Sequence, residues 1–151
     1  MTGQFQFPVS GKRVHDLDAG IRYIGPDRLY LYCGANDGPM VSLLLRHGDD
    51  PNGRTRDRDT PLHLACRQCY PNILALLLAH GGNARLRHNF WETPLHIAAG
   101  NGWKEGITLL LEAGADINDA TNDGYSPLSA ALEARQHDTV RILLESGADP
   151  R

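Results

Sequence analysis

Apolar triplets return along this chain at a fixed interval. Leu43-Leu44-Leu45, Leu76-Leu77-Leu78, Leu109-Leu110-Leu111 and Ile142-Leu143-Leu144 each precede a glycine, and Gly48, Gly81, Gly114 and Gly147 stand 33 residues apart. A second phrase keeps the same step: Thr60-Pro61-Leu62-His63-Leu64-Ala65, Thr93-Pro94-Leu95-His96-Ile97-Ala98 and Ser126-Pro127-Leu128-Ser129-Ala130-Ala131. Each phrase predicts a helix start. Thr or Ser at the N-cap accepts from orphaned backbone amides, and the proline sits where its missing N–H costs little. Leu62 with Ala65, and Leu95 with Ala98, then share one helical face. A second helix follows in each unit, carrying Ile73, Leu74, Leu77 and Leu78 or Ile107, Leu110 and Leu111, and its glycine takes the position after the cap. Turn formers such as Asn122-Asp123-Gly124 then predict a projecting hairpin before the next unit. One helix pair cannot cover its own apolar face, so neighbouring pairs must stack.

These phrases resemble the ankyrin repeat: Thr-Pro-Leu-His-x-Ala, a leucine-rich helix and Gly-Ala-Asp-x-Asn. The third unit carries the pattern most fully, with Thr93 to Ala99, Gly102 and Gly114-Ala115-Asp116-Ile117-Asn118. The second ends differently, in Gly81-Gly82-Asn83-Ala84-Arg85, and has Cys69 where the family has glycine. The fourth has Ser129 for the histidine. In the first, Asp27-Arg28-Leu29-Tyr30-Leu31-Tyr32 replaces the opening phrase, while Gly25, the leucine triplet and Gly48 keep step. The resemblance implies an all-α ankyrin-repeat solenoid of stacked helix-turn-helix units with projecting β-hairpin loops. The expected boundaries are 22–54, 55–87, 88–120 and 121–151, preceded by an N-terminal extension or cap, 1–21. Within that extension Val14, Leu17 and Ile21 are expected to fold back as the cap, and Met1 to Ser10 to be mobile.

Composition changes little. The chain of 151 residues is 41% hydrophobic and 22% charged with net charge −3, as expected of an ordinary globular domain. No stretch reaches the length of a membrane span, and Met1 to Arg13 has no long apolar run of the kind a secretory signal needs. Three cysteines and no Asn-x-Ser/Thr site fit a reducing interior, which predicts a cytoplasmic location with the nucleus as the alternative. Terminal units carry a polar outer face, and the last helix, Thr139 to Leu144, is followed by no further unit. That uncovered end points to a place in a longer chain; the domain itself is expected to be monomeric.

Candidate chemistry is sparse. Cys66-Arg67-Gln68-Cys69 is a lone C-x-x-C without the second pair that a zinc site needs. Cys33 and Cys66 fall on the small buried position of successive units. Packed helices lie roughly 8–10 Å apart, too far for bridged Cα atoms, which need about 7 Å or less. His63 and His96 recur one unit apart with no acidic partner fixed beside them, and the resemblance implies a hydrogen bond from each to the neighbouring hairpin. His47, His80, His88 and His137 read as solvated positions at helix ends or loops. A calcium loop from Asp119 would need its glutamate where Ala130 stands, with Pro127 interrupting. No phosphate loop or nucleophile elbow occurs. The expectation is a non-enzyme without cofactor or metal.

Charge is polarised. Residues 54–104 carry seven Lys or Arg against three Asp or Glu, and residues 105–151 carry three against nine. Arg54, Arg56, Arg58, Arg85 and Arg87 would form a basic stripe able to meet phosphates, but Asp57 and Asp59 interrupt it and the net charge is negative. Steering of a protein partner is the simpler reading. The resemblance implies docking on hairpin tips and first helices. In the second unit this gives Arg56, Asp57, Asp59, Arg67 and Gln68. The third gives Asn89, Phe90, Trp91, Glu92, Gly100 and Asn101, and the fourth Asn122, Asp123, Tyr125, Glu133 and Ala134. Phe90-Trp91 stands out, because Trp91 takes the hairpin position that Gly25 and Gly124 hold elsewhere, and large aromatics dominate binding hot spots. Phe90 is expected to be exposed, whereas Trp91 suits either an anchor or packing against Tyr125 or the second hairpin. Trp103 and Tyr70 share a turn position where packing is expected. The chain therefore reads as a protein- or peptide-binding module. Nucleic-acid binding through the stripe, or a purely architectural and self-associating role, are its alternatives.

Overall fold

A computed structural model describes residues 13–16, 20–23 and 27–150. Four helix pairs follow one another: α1 (Arg28–Gly34) with α2 (Gly38–Arg46), α3 (Pro61–Gln68) with α4 (Pro71–Ala79), α5 (Pro94–Gly100) with α6 (Lys104–Glu112), and α7 (Pro127–Glu133) with α8 (His137–Glu145). The first helices α1, α3, α5 and α7 pack in succession, and α2, α4 and α6 form a second row behind them. Ahead of the helices, β1 (Arg13–Asp16) pairs antiparallel with β2 (Gly20–Tyr23), placing Val14 opposite Arg22 and His15 opposite Ile21. The extension expected to act as a cap thus contributes a strand pair that runs on to Tyr23. Leu17, Gly25 and the segment Met1 to Ser10 lie outside the described residues.

The core runs as a continuous seam through the pairs. Leu62, Ile73, Leu74, Leu77, Leu95, Ile107, Leu110 and Leu143 are fully buried, with Cys33, Cys66 and Ala99 at the close-approach position of their first helices. The three cysteines are free thiols. Tyr70 and Trp103 cap the backbone of α4 and α6 and pack partly buried against the core.

Two helix-end positions in each unit take a left-handed backbone. Two residues past each second helix these are Gly48, Gly81, Gly114 and Gly147, with φ between 92° and 103°. In the turn after each first helix they are Asn36, Cys69, Gly102 and Arg135, with φ between 55° and 69°, so Cys69 takes a glycine conformation in the second unit.

Successive units are tied by polar bridges from one repeat position. Asn52 donates through Nδ2 to the Gly81 carbonyl (3.1 Å) and accepts from the Asn83 amide (2.7 Å). Asn118 accepts from the Asp149 amide (2.8 Å). Arg85, where the second unit departs from the asparagine pattern, donates through Nε to the Gly114 carbonyl (3.0 Å) and so keeps the bridge.

Candidate functional site

The hairpin ahead of α3, of α5 and of α7 is a narrow turn closed by two main-chain bonds. Thr55 donates to Asp59 O (2.9 Å) and Arg58 to Thr55 O (2.9 Å). His88 donates to Glu92 O (3.1 Å) and Trp91 to His88 O (2.9 Å), and Thr121 donates to Tyr125 O (2.9 Å) and Gly124 to Thr121 O (2.9 Å). The tip residue of each turn has positive φ: Arg58 at 62°, Trp91 at 66° and Gly124 at 81°. A non-glycine residue there carries a steric cost of about 1–2 kcal/mol. The second and third hairpins touch through Asn89 N to Asp57 O (3.2 Å), and the Arg58 guanidinium lies 5.7 Å from the centroid of the Trp91 ring.

Buried histidines set the hairpins on the helices. In the second unit the Thr60 hydroxyl meets His63 Nδ1 (2.8 Å), and His63 Nε2 donates to the Glu92 carbonyl of the next hairpin (3.0 Å). In the third, Thr93 meets His96 Nδ1 (2.9 Å), and His96 Nε2 donates to the Tyr125 carbonyl (2.9 Å). Burial lowers both imidazole pKa values, His63 to about 4. Ser129 bonds only to its own cap, Ser126.

His88 differs from the expectation of a solvated loop histidine. It is buried, stacks on His63 with 5.0 Å between centroids, and accepts from the Phe90 amide through Nδ1 (3.0 Å). The ring takes the place of Thr55 and Thr121, whose hydroxyls accept from Asp59 N and Tyr125 N in the other hairpins (both 3.2 Å). Phe90 leans edge-on against His88 at 5.7 Å, so the ladder His63–His88–Phe90 holds an aromatic ring up from the core. Its outer end is open: Phe90 is 78% exposed and Trp91 51%.

Phe90 stands between two depressions. One, of about 480 Å³, is lined by Tyr30, Thr55, Asp57, Asp59, Arg67, His88 and Asn89, and the other, of about 450 Å³, by Glu92, Thr121, Asp123, Gly124, Tyr125, Ser129 and Glu133. In the first, the buried carboxylate is neutralised from within. Asp59 is only 6% exposed and receives Arg67 Nη1 (3.1 Å), Arg67 Nη2 (2.8 Å) and the Tyr30 hydroxyl (2.7 Å). Burial opposes the charge on Asp59, but the Arg67 fork and the Tyr30 hydroxyl outweigh it and hold the carboxyl below its ordinary range. Tyr30 is in turn pushed up to about 12, by burial first and by the bond to Asp59 second. In the second depression Tyr125 donates to Glu133 Oε1 (2.9 Å), and its hydroxyl is raised to about 12 by burial, then by that bond.

Among the residues expected on this face, Arg56, Asp57, Asn89, Phe90, Trp91, Glu92 and Tyr125 lie on the hairpins, with Arg67 and Gln68 exposed at the end of α3. Asp59 is directed inward. Asn101 spans two units, its Nδ2 donating to the carbonyls of Cys66 (3.1 Å) and Arg67 (3.3 Å). Tyr30 and His88 join the face without having been expected there. Tyr30 sits in the one unit whose opening phrase is replaced, and His88 reads as an ordinary loop residue until its stacking partner is known. No cluster of three or more potential metal-binding side chains occurs among the described residues, and no helix there is long and apolar enough to cross a membrane.

The family model described as ankyrin repeats (3 copies) matches residues 16–88 and 70–151. The chain belongs to the ankyrin repeat family. Ankyrin repeats are generally protein–protein interaction modules and typically non-catalytic, in keeping with a solenoid whose unit-to-unit contacts are structural.

Proposed function

We propose that this ankyrin domain is a non-catalytic adaptor that grips a protein or peptide partner on its hairpin and first-helix face, with Phe90 as the anchor. The observation that carries this reading is Phe90 itself, 78% exposed yet held upright on the His88–His63 ladder between two depressions. An aromatic side chain fixed before binding loses little rotamer freedom when a partner covers it. Trp91 supports the same role, because it occupies a costly left-handed position and leaves half its surface open. Arg56 and Arg58 on one side and Asp123 and Glu133 on the other give the partner an orientation. The free thiols Cys33, Cys66 and Cys69 suit an intracellular setting, cytoplasmic or nuclear.

The test is affinity capture from a cell extract with the wild-type domain beside Phe90→Ala/Trp91→Ala. The expected result is a protein retained by the wild type and lost by the variant, with helicity and melting unchanged. Equal retention by both would remove the face from consideration. Nucleic acid captured with a steep loss on added salt would favour the basic stripe instead.

A further inference from the structure

The three complete units place two residues at equivalent positions on the face, one just before the helix cap and one eight residues later. In the second unit they are Asp59 and Arg67, in the third Glu92 and Gly100, in the fourth Tyr125 and Glu133. The second unit closes on itself through the two-pronged bond of Arg67 to Asp59. The third has no side chain at Gly100 to do the same, and the Glu92 carboxylate has the His88 ring near it, with Nε2 at 4.0 Å. Crowding does not impose that glycine, since a Cβ built there would meet nothing nearer than the Ala130 Cβ at 3.9 Å. The fourth unit turns a carboxylate toward the same space. The depression of about 450 Å³ between them is therefore lined by Glu92, Asp123 and Glu133 and by no lysine or arginine, with Phe90 as one wall.

We propose that this depression receives an arginine side chain of the partner, next to an apolar residue that packs on Phe90, so that the partner supplies the guanidinium that Arg67 supplies one unit earlier. The inference rests on the reading of this face as the partner-binding face. Charge complementarity selects a cation. Arginine fits better than lysine, because its planar fork spans two carboxylates and its flat face stacks on an aromatic ring.

Random linear peptides displayed on phage, panned against the intact domain, test both levels separately. The expected pool is enriched in arginine beside Leu, Ile, Phe or Trp. A synthetic peptide from that pool should bind Phe90→Ala, Glu92→Gln/Glu133→Gln and Gly100→Arg at least about ten-fold more weakly than wild type. Replacing the peptide's arginine by methionine should cost the wild type about the same factor and cost Gly100→Arg almost nothing, which assigns the loss to one pairwise contact. Gly100→Arg adds a long side chain at a helix end, so unchanged circular dichroism is required of it, and the isosteric glutamine pair gives an independent route to the same comparison. Peptides that need Phe90 but carry no arginine would overturn the cation pocket and leave the face standing. Peptides indifferent to Phe90→Ala, or a failure to enrich any peptide, would overturn both.

Discussion

Protonating His63 would put a hydrogen on Nδ1, the ring atom that meets the Thr60 hydroxyl, inside a site closed to solvent. The same holds for His96 and Thr93. Desolvation opposes the charged form in both, and the folded-state value falls to about 4 for His63 and below 6.5 for His96. The unfolded chain binds these protons near pH ~6.5, so it gains protons before the folded chain does. Stability is therefore full above that pH and is lost as pH falls toward 4. The slope is at most about 1.4 kcal/mol per pH unit for each histidine in that window. Asp59, held below 3.8, adds its own loss only at still lower pH. Urea unfolding at a series of pH values should show the decline, and His63→Gln/His96→Gln should flatten it. A flat wild-type profile would mean that these rings are not the neutral struts described. Both histidines are legible in the sequence because they recur in one phrase. Asp59 is not, because its burial depends on Tyr30 and Arg67, 29 and 8 residues away, converging on one carboxylate.

Helix starts and stops follow from short-range chemistry, which is why α3, α5 and α7 begin at the prolines of their Thr-Pro or Ser-Pro phrases and α2, α4, α6 and α8 end just before their glycines. The first unit shows what is lost without the phrase. Asp27 caps α1 with no side-chain bond, and α1 buries only Leu29 and Cys33. Substitutions that change residue type but keep reach are harder to see in advance. Arg85 replaces an asparagine amide by a guanidinium and still spans to Gly114. Gly106, inside α6, tests how far local propensity decides. Gly→Ala within a helix ordinarily stabilises by about 1 kcal/mol. Here a Cβ would lie 2.0 Å from Trp103 Cε3 and 2.5 Å from Cδ2, because the indole rests on the bare backbone. Gly106→Ala should instead destabilise by about 1–3 kcal/mol, the usual cost of overpacking. In a Trp91→Phe background its emission should shift to the red as Trp103 is displaced. A higher melting temperature with unchanged emission would show that the ring yields at no cost.

Across the whole molecule, stability accumulates from unit to unit, because each pair of helices touches only its neighbours. The three thiols sample that gradient. Cys69 is half-buried at the end of α3, Cys33 is fully buried in α1, and Cys66 is fully buried in α3 with helices packed on both sides. Burial raises all three thiol pKa values, Cys33 to about 12, so none reacts through an unusually acidic thiolate. Differences in labelling then report opening rather than chemistry. Under native conditions iodoacetamide should modify Cys69 first. Cys33 should follow through opening of the first unit, and Cys66 should come last, with a gap of at least about ten-fold if the first unit opens at ~1.4 kcal/mol less than the whole. Mass spectrometry of timed samples gives the order directly. Equal rates for Cys33 and Cys66, both tracking global unfolding in denaturant, would show that the four units act as one cooperative block. The order bears on binding, because Tyr30 reaches Asp59 from the first unit and walls the depression around that carboxylate. If that unit opens alone, the depression beside Arg67 opens with it. The acidic one, built wholly from the third and fourth units, keeps its shape, so a ligand there should leave the Cys33 rate unchanged while protecting Phe90.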